Sequence, residues 1–171
     1  MIKENGYSVL SLVVVIAISS VIALGAGMTT GQILEQSRLN EDYATVVRQA
    51  QNFGFNVSQD MVMARTVSTT DNIVTPDVEF ITIIWKDWEN GYKHDVRYIW
   101  LDSVDSLKKV IKKHTIYDEN GLTIDSSNSL LADNIYSANL TQPNDAWRLT
   151  VEARSGEKSV IREYEVNKRV D

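Results

Sequence analysis

The side chains able to do chemistry are few and scattered. His94 and His114 are the only histidines, and there are no cysteines. A thiol nucleophile, a disulfide-stapled fold and any cysteine-ligated zinc or iron–sulfur centre are therefore excluded. No GxSxG elbow, phosphate-binding glycine loop or HExxH pair occurs, so the motifs of common hydrolase, nucleotide and zinc-protease chemistry are missing. Asp118-Glu119-Asn120-Gly121 with Asp125 offers oxygen ligands of the kind calcium takes. Their spacing does not match an EF-hand, and a plain turn is the simpler reading. Lys108, Lys109, Lys112 and Lys113 form a basic cluster in a chain of net charge −6. Such a cluster either meets an anionic partner, DNA included, or guards an edge strand against pairing with other sheets. The edge-strand reading is preferred, because 17 basic against 23 acidic residues is the wrong balance for a general nucleic-acid binder. The inventory points to a structural or binding role and not to an enzyme, with no metal or cofactor implied.

The elements that hold these residues follow from hydropathy and period. The 171 residues suffice for one ordinary domain. Their apolar content is uneven, and no charged side chain occurs from Asn5 to Leu34. Within that stretch the 20 residues Val9 to Met28 make one apolar run. As a helix it spans about 30 Å, the thickness of a bilayer core. It is the only such run, so any anchor is single-pass. Gly25, Gly27 and Gly31 loosen helix propensity where the run ends, and Gly27 with Gly31 forms a GxxxG pair that permits close helix approach.

From Ile33 the pattern becomes amphipathic. Leu39, Tyr43, Val46, Ala50, Phe53, Val57, Met61 and Ala64 recur at steps of three and four. No proline precedes Pro76, so the spacing predicts one helix from about Tyr7 to about Arg65, bent at the glycines.

After a polar loop from Ser68 to Asp77 the period switches to two. Phe80 to Trp85 and Val96 to Leu101 flank Asn90-Gly91, a strong hairpin signal. A two-residue turn there pairs Ile81 with Trp100, Ile83 with Tyr98, Trp85 with Val96 and His94 with Asp87. One face is then apolar and packs on the helix stripe, and His94 is a satisfied surface pair. Leu107 to His114 is read as a strand, and Asp118 to Ser129 as a loop. A second hairpin is predicted around Ser155-Gly156-Glu157, with Trp147, Leu149, Val151 and Ala153 inward on one arm and Val160, Tyr164 and Val166 on the other. The expected fold is α+β: one long N-terminal helix on a four- to five-stranded antiparallel sheet.

The extreme N-terminus is more specific. A short polar leader, Met1-Ile2-Lys3-Glu4-Asn5-Gly6, ends in glycine, and Tyr7-Ser8-Val9-Leu10 leads straight into the apolar run. This resembles the prepilin signal of type IV pilins and type II secretion pseudopilins. The resemblance implies cleavage between Gly6 and Tyr7 and N-methylation of Tyr7, where the family usually has phenylalanine. It implies residues 1–6 as leader, 7–34 as the membrane and filament-core half of the helix, 35–66 as its amphipathic half and 67–171 as a globular β domain. Ser11, Gly27 and Gly31 would sit in the filament core. The family usually carries glutamate at the fifth place after the cut, where this chain has Ser11, a departure found in some minor subunits. Implied partners are other pilins or pseudopilins, the prepilin peptidase and the inner-membrane assembly platform. The implied location is the cytoplasmic membrane, with the C-terminal domain outside. The contrasting reading is a secreted or anchored binding module that uses its N-terminus only for export, with Ala23-Leu24-Gly25 as a cleavage site.

Overall fold

A computed structural model describes residues 9–70, 79–102, 107–144 and 146–167. Gly6, Tyr7 and the leader lie outside the described residues, as does most of the predicted loop from Ser68 to Asp77. The chain divides into two compact units, Met1–Glu41 and Asp42–Asp171.

Helix α1 runs from Val9 to Met63. The helix continues through Gly25, Gly27, Gly31 and Gly54. In the second unit the predicted stripe is the buried one: Val46, Ala50, Phe53 and Val57 are fully buried and Met61 nearly so. Tyr43 departs from it and is half exposed.

The sheet has seven strands in chain order, each antiparallel to the next. They are β1 (Thr66–Thr69), β2 (Glu79–Lys86), β3 (Lys93–Asp102), β4 (Lys108–Tyr117), β5 (Thr123–Thr141), β6 (Ala146–Ser155) and β7 (Lys158–Asn167). The expected four or five strands miss β1 and β5. At β1 the chain leaves the helix without a loop, and Arg65 N–H already donates to Ile84 O at 3.0 Å. The run Thr66-Val67-Ser68-Thr69 then pairs along β2. At β5 the Asn-, Asp- and Ser-rich segment has poor strand propensity, and pairing to β4 overrides it. The turn itself is confined to Asp118–Leu122. Asp118 Oδ1 accepts the N–H groups of Asn120 at 2.9 Å and Leu122 at 2.7 Å. These bonds, that from Leu122 foremost, hold the Asp118 carboxyl below the usual carboxylate range.

The first hairpin is correct in its faces and shifted in its register. Ile81 pairs with Tyr98, Ile83 with Val96 and Trp85 with His94. The turn is longer than two residues because Asp87 starts it early. Asp87 Oδ1 accepts Glu89 N–H at 3.0 Å, and Gly91 N–H reaches back to Asp87 O at 3.1 Å. Only Gly91 takes positive φ, at 70°, so no type I′ turn forms on Asn90-Gly91. A shift of two residues preserves the side-chain alternation, so Ile81, Ile83, Val96 and Tyr98 are still buried. A bulge at Phe80 turns that residue inward beside Ile81, and both are buried. The second hairpin matches its expectation. Ser155 pairs with Lys158, and positive φ at Gly156 alone, 55°, is the type II′ pattern.

The core lies between the sheet and the helix part from Val46 to Met61. Phe53 is its centre, with ring centroids 5.9 Å from Phe80 and 6.1 Å from both Tyr98 and Trp100. The helix approaches β7 closely at Gly54. A Cβ there would overlap the Tyr164 ring, whose hydroxyl donates to Ala50 O at 3.1 Å. Among the tryptophans, Trp100 is buried while Trp88, at the first hairpin turn, is 95% exposed.

Candidate membrane and assembly segment

The first unit is helix from Val9 onward, and its large apolar side chains are exposed, with Leu10 at 75% and Val21 at 70%. The segment is long and apolar enough to cross a membrane, and its most apolar window has no buried residue. Three of its hydroxyls are satisfied by the helix backbone itself. Ser20 Oγ donates to Ile16 O at 2.7 Å, and Thr29 and Thr30 donate to Gly25 O and Ala26 O at 2.9 Å. Hydroxyls bonded to the preceding turn are what lipid requires of polar groups. Ser11 lies in the first helical turns and is half-buried. A Cβ on Gly25, Gly27 or Gly31 would meet open space, so nothing within the chain demands glycine there.

The lysine cluster does not form one patch. β4 is a central strand, between β3 and β5, so edge protection is not its role. Strand alternation sends Lys108 and Lys112 to the helix side and Lys109 and Lys113 to the other. Lys108 Nζ stands 5.4 Å from the Trp100 ring centroid. Lys112 Nζ pairs with Asp60 at 2.7 Å. Lys109 and Lys113 are exposed.

Asp60 is the buried polar centre of the helix–sheet interface, and the sequence reading did not single it out. It takes a short hydrogen bond from Tyr98 Oη as well as the Lys112 pair. Tyr98 and Lys112 are cross-strand neighbours. Burial first, then the Asp60 charge, pushes the Tyr98 phenol far above its usual value. A helical wheel would have flagged Asp60, since it falls beside Phe53, seven residues earlier, at the margin of the apolar stripe.

The two histidines meet each other, which the predicted register did not imply. His94 faces Trp85 and not Asp87. His94 Nδ1 and His114 Nε2 are 2.9 Å apart, so one ring donates and the other accepts. Trp85 stacks on His94 at 5.0 Å and an interplanar angle of 6°. Desolvation, then the His94 and Lys112 charges, lowers the His114 pKa, against weaker opposition from Asp60 and Asp125. Folding thus keeps His114 neutral down to a lower pH than in the unfolded chain, whose imidazole protonates near 6.5. The resulting stabilisation is full above that pH and is lost as pH falls through the folded-state value. We expect the midpoint of thermal unfolding to drop between pH 7 and pH 5, and to drop less in His114→Gln. Equal slopes in the two proteins would refute the assignment.

On the sheet face opposite the helix a depression of about 600 Å³ is lined by Arg65, Lys86, Lys93, Arg97, Asp95 and Glu119, among others. Its charges are largely spent on one another. Arg97 bonds both Asp95 oxygens at 2.9 Å and Glu79 at 2.8 Å. Asp118, the first residue of the acidic turn, has its Oδ1 engaged by backbone N–H groups. Among the described residues no three His, Asp or Glu side chains gather as a metal would need.

Compared with models of protein families, with curated proteins and with solved structures, the chain matches none.

Proposed function

We propose that this chain is a minor pilin or pseudopilin. It would be a membrane-anchored structural subunit, cleaved after Gly6, N-methylated at Tyr7 and drawn into a filament of related subunits. The observation that carries the reading is the division of labour along α1. Its first part is an exposed apolar membrane-length helix, and its last part buries an amphipathic stripe on an antiparallel sheet. A leader ending in glycine directly before that helix supports the same reading. The partners would be other pilins, the prepilin peptidase and the inner-membrane platform.

Ser11 bears on position in the filament. An N-terminal ammonium in an apolar core costs several kcal/mol unless paired. A serine hydroxyl returns roughly 0.5–1.5 kcal/mol as a neutral hydrogen bond. A subunit that cannot neutralise its neighbour is suited to low copy number at the filament tip. Filaments built mainly from this chain would overturn that placement.

Gly6→Val tests the processing step. A β-branched residue crowds the backbone the peptidase must grip, so full-length protein is expected to accumulate in the membrane. Maturation of the variant to the normal size would sink the prepilin reading. N-terminal sequencing of the native protein separates the two readings: N-methyl-tyrosine at Tyr7 supports the pilin, and a start at Ala26 supports an exported binding module.

A further inference from the structure

Strand β5 has one stretch with a neighbour on one side only. From Ile135 to Thr141 it pairs with β6. At Leu131 and Asp133 helix side chains take the strand's place: Asn52 Nδ2 donates to Leu131 O at 2.7 Å, and Gln49 Oε1 accepts Asp133 N–H at 3.3 Å. From Thr123 to Leu130 the strand pairs with β4, and among the described residues no strand lies along its other side. All eight of those residues are exposed.

Sheets guard open edges with charge, proline or shortness. The two outer edges here follow that rule. β1 has only four residues, and β7 carries Lys158, Arg162, Glu163 and Glu165. The β5 stretch, Thr-Ile-Asp-Ser-Ser-Asn-Ser-Leu, carries neither lysine, arginine nor proline, and Asp125 is its only charge. Its one local cover is the Asp125 carboxylate, which accepts Ser126 N–H at 2.8 Å.

The stretch is also self-complementary. Ile124 and Leu130, 51% and 58% exposed, lie on the same face at equal distances from Ser127. Placed antiparallel across a two-fold axis at Ser127, Ile124 of one copy meets Leu130 of the other. Ser126 meets Asn128, and Asp125 meets Ser129, so no like charges oppose. Each Leu130 is also flanked by Ile111 of its own β4, which widens the apolar contact.

We propose that the β5 edge from Thr123 to Leu130 is a pairing site for a second copy of this chain, joining two sheets across a two-fold axis. Such a contact is isologous and closes at two, so it does not propagate. It goes beyond the pilin reading and does not depend on it. The carboxylate on Ser126 N–H marks the even-numbered residues as those whose backbone groups face outward. Ser127 then sits at a non-hydrogen-bonded position, where Cβ atoms approach most closely.

The chain has no cysteine, so Ser127→Cys gives a single reporter. In the full chain in detergent micelles, mild oxidation should yield a disulfide dimer. The same treatment of Ser159→Cys on β7 should not. Adding Ile124→Asp, a change at an exposed position checked by circular dichroism, should abolish the dimer. A spin label on the introduced cysteine at position 127 should show strong dipolar coupling to its twin, without needing disulfide geometry. A monomer by both readouts overturns the proposal. So does a dimer that survives Ile124→Asp, which would arise through the apolar helix, or cross-linking in native membranes to a different protein only.

Discussion

Phe53→Ala is expected to destabilise the folded domain by about 3–5 kcal/mol, the range for truncating a large aromatic in a core. Phe53 is fully buried, and its ring contacts Phe80, Tyr98 and Trp100. The helix meets β2 and β3 at that point, so the cavity would be lined by stiff rings and sheet backbone that collapse poorly. Against a total stability of roughly 5–15 kcal/mol for a domain, that loss is a fifth or more of the whole. Phe55 supplies the internal control. It is the same residue type on the same helix, yet 59% exposed, and Phe55→Ala should fall within about 0.5 kcal/mol of the parent. Urea unfolding followed by tryptophan fluorescence measures both. Similar costs for the two variants would show that the stripe does not face the sheet as described.

Asp60→Leu is expected to cost about 3 kcal/mol, for a different reason. The lost interactions matter less than what they leave behind, namely the Lys112 ammonium, 18% exposed, and the buried Tyr98 hydroxyl. An orphaned buried donor carries its full desolvation penalty, and an orphaned charge carries more. Replacing every member of the network with apolar groups of similar shape removes that penalty. The triple variant Asp60→Leu, Lys112→Met, Tyr98→Phe should therefore recover most of the stability lost in the single variant. If the triple variant is less stable than Asp60→Leu alone, the network is a net source of stability and this account is wrong.

The two cases show what could be read from the residues alone. The Val46-Ala50-Phe53-Val57-Met61 stripe was legible because helical period is a local property, and each member is buried. The faces of both hairpins were legible for the same reason, since strand alternation needs no partner. The membrane-length run was legible because length and apolarity suffice to describe it. Register was not. The Asn90-Gly91 signal was outweighed by the Asp87 side chain, whose hydrogen bonds begin the turn sooner. Strand order was not legible either. A lysine-rich strand looks like an edge until its neighbours are known, and β4 has one on each side.

The apolar helix, the amphipathic stripe, the switch to strand period and the absence of cysteine chemistry are all local properties of the residues. These depend on composition and on spacing of a few residues. The seven-stranded meander, the length of β5, the split of the four lysines between two faces, and the meeting of Asp60 with Tyr98 and Lys112 exist only in the folded chain. Each of those joins residues far apart in the chain. Whether Ser- and Asn-rich residues form a strand, or a lysine stands in water or beside a buried carboxylate, is decided by the neighbour the fold supplies and not by the residue's own preference.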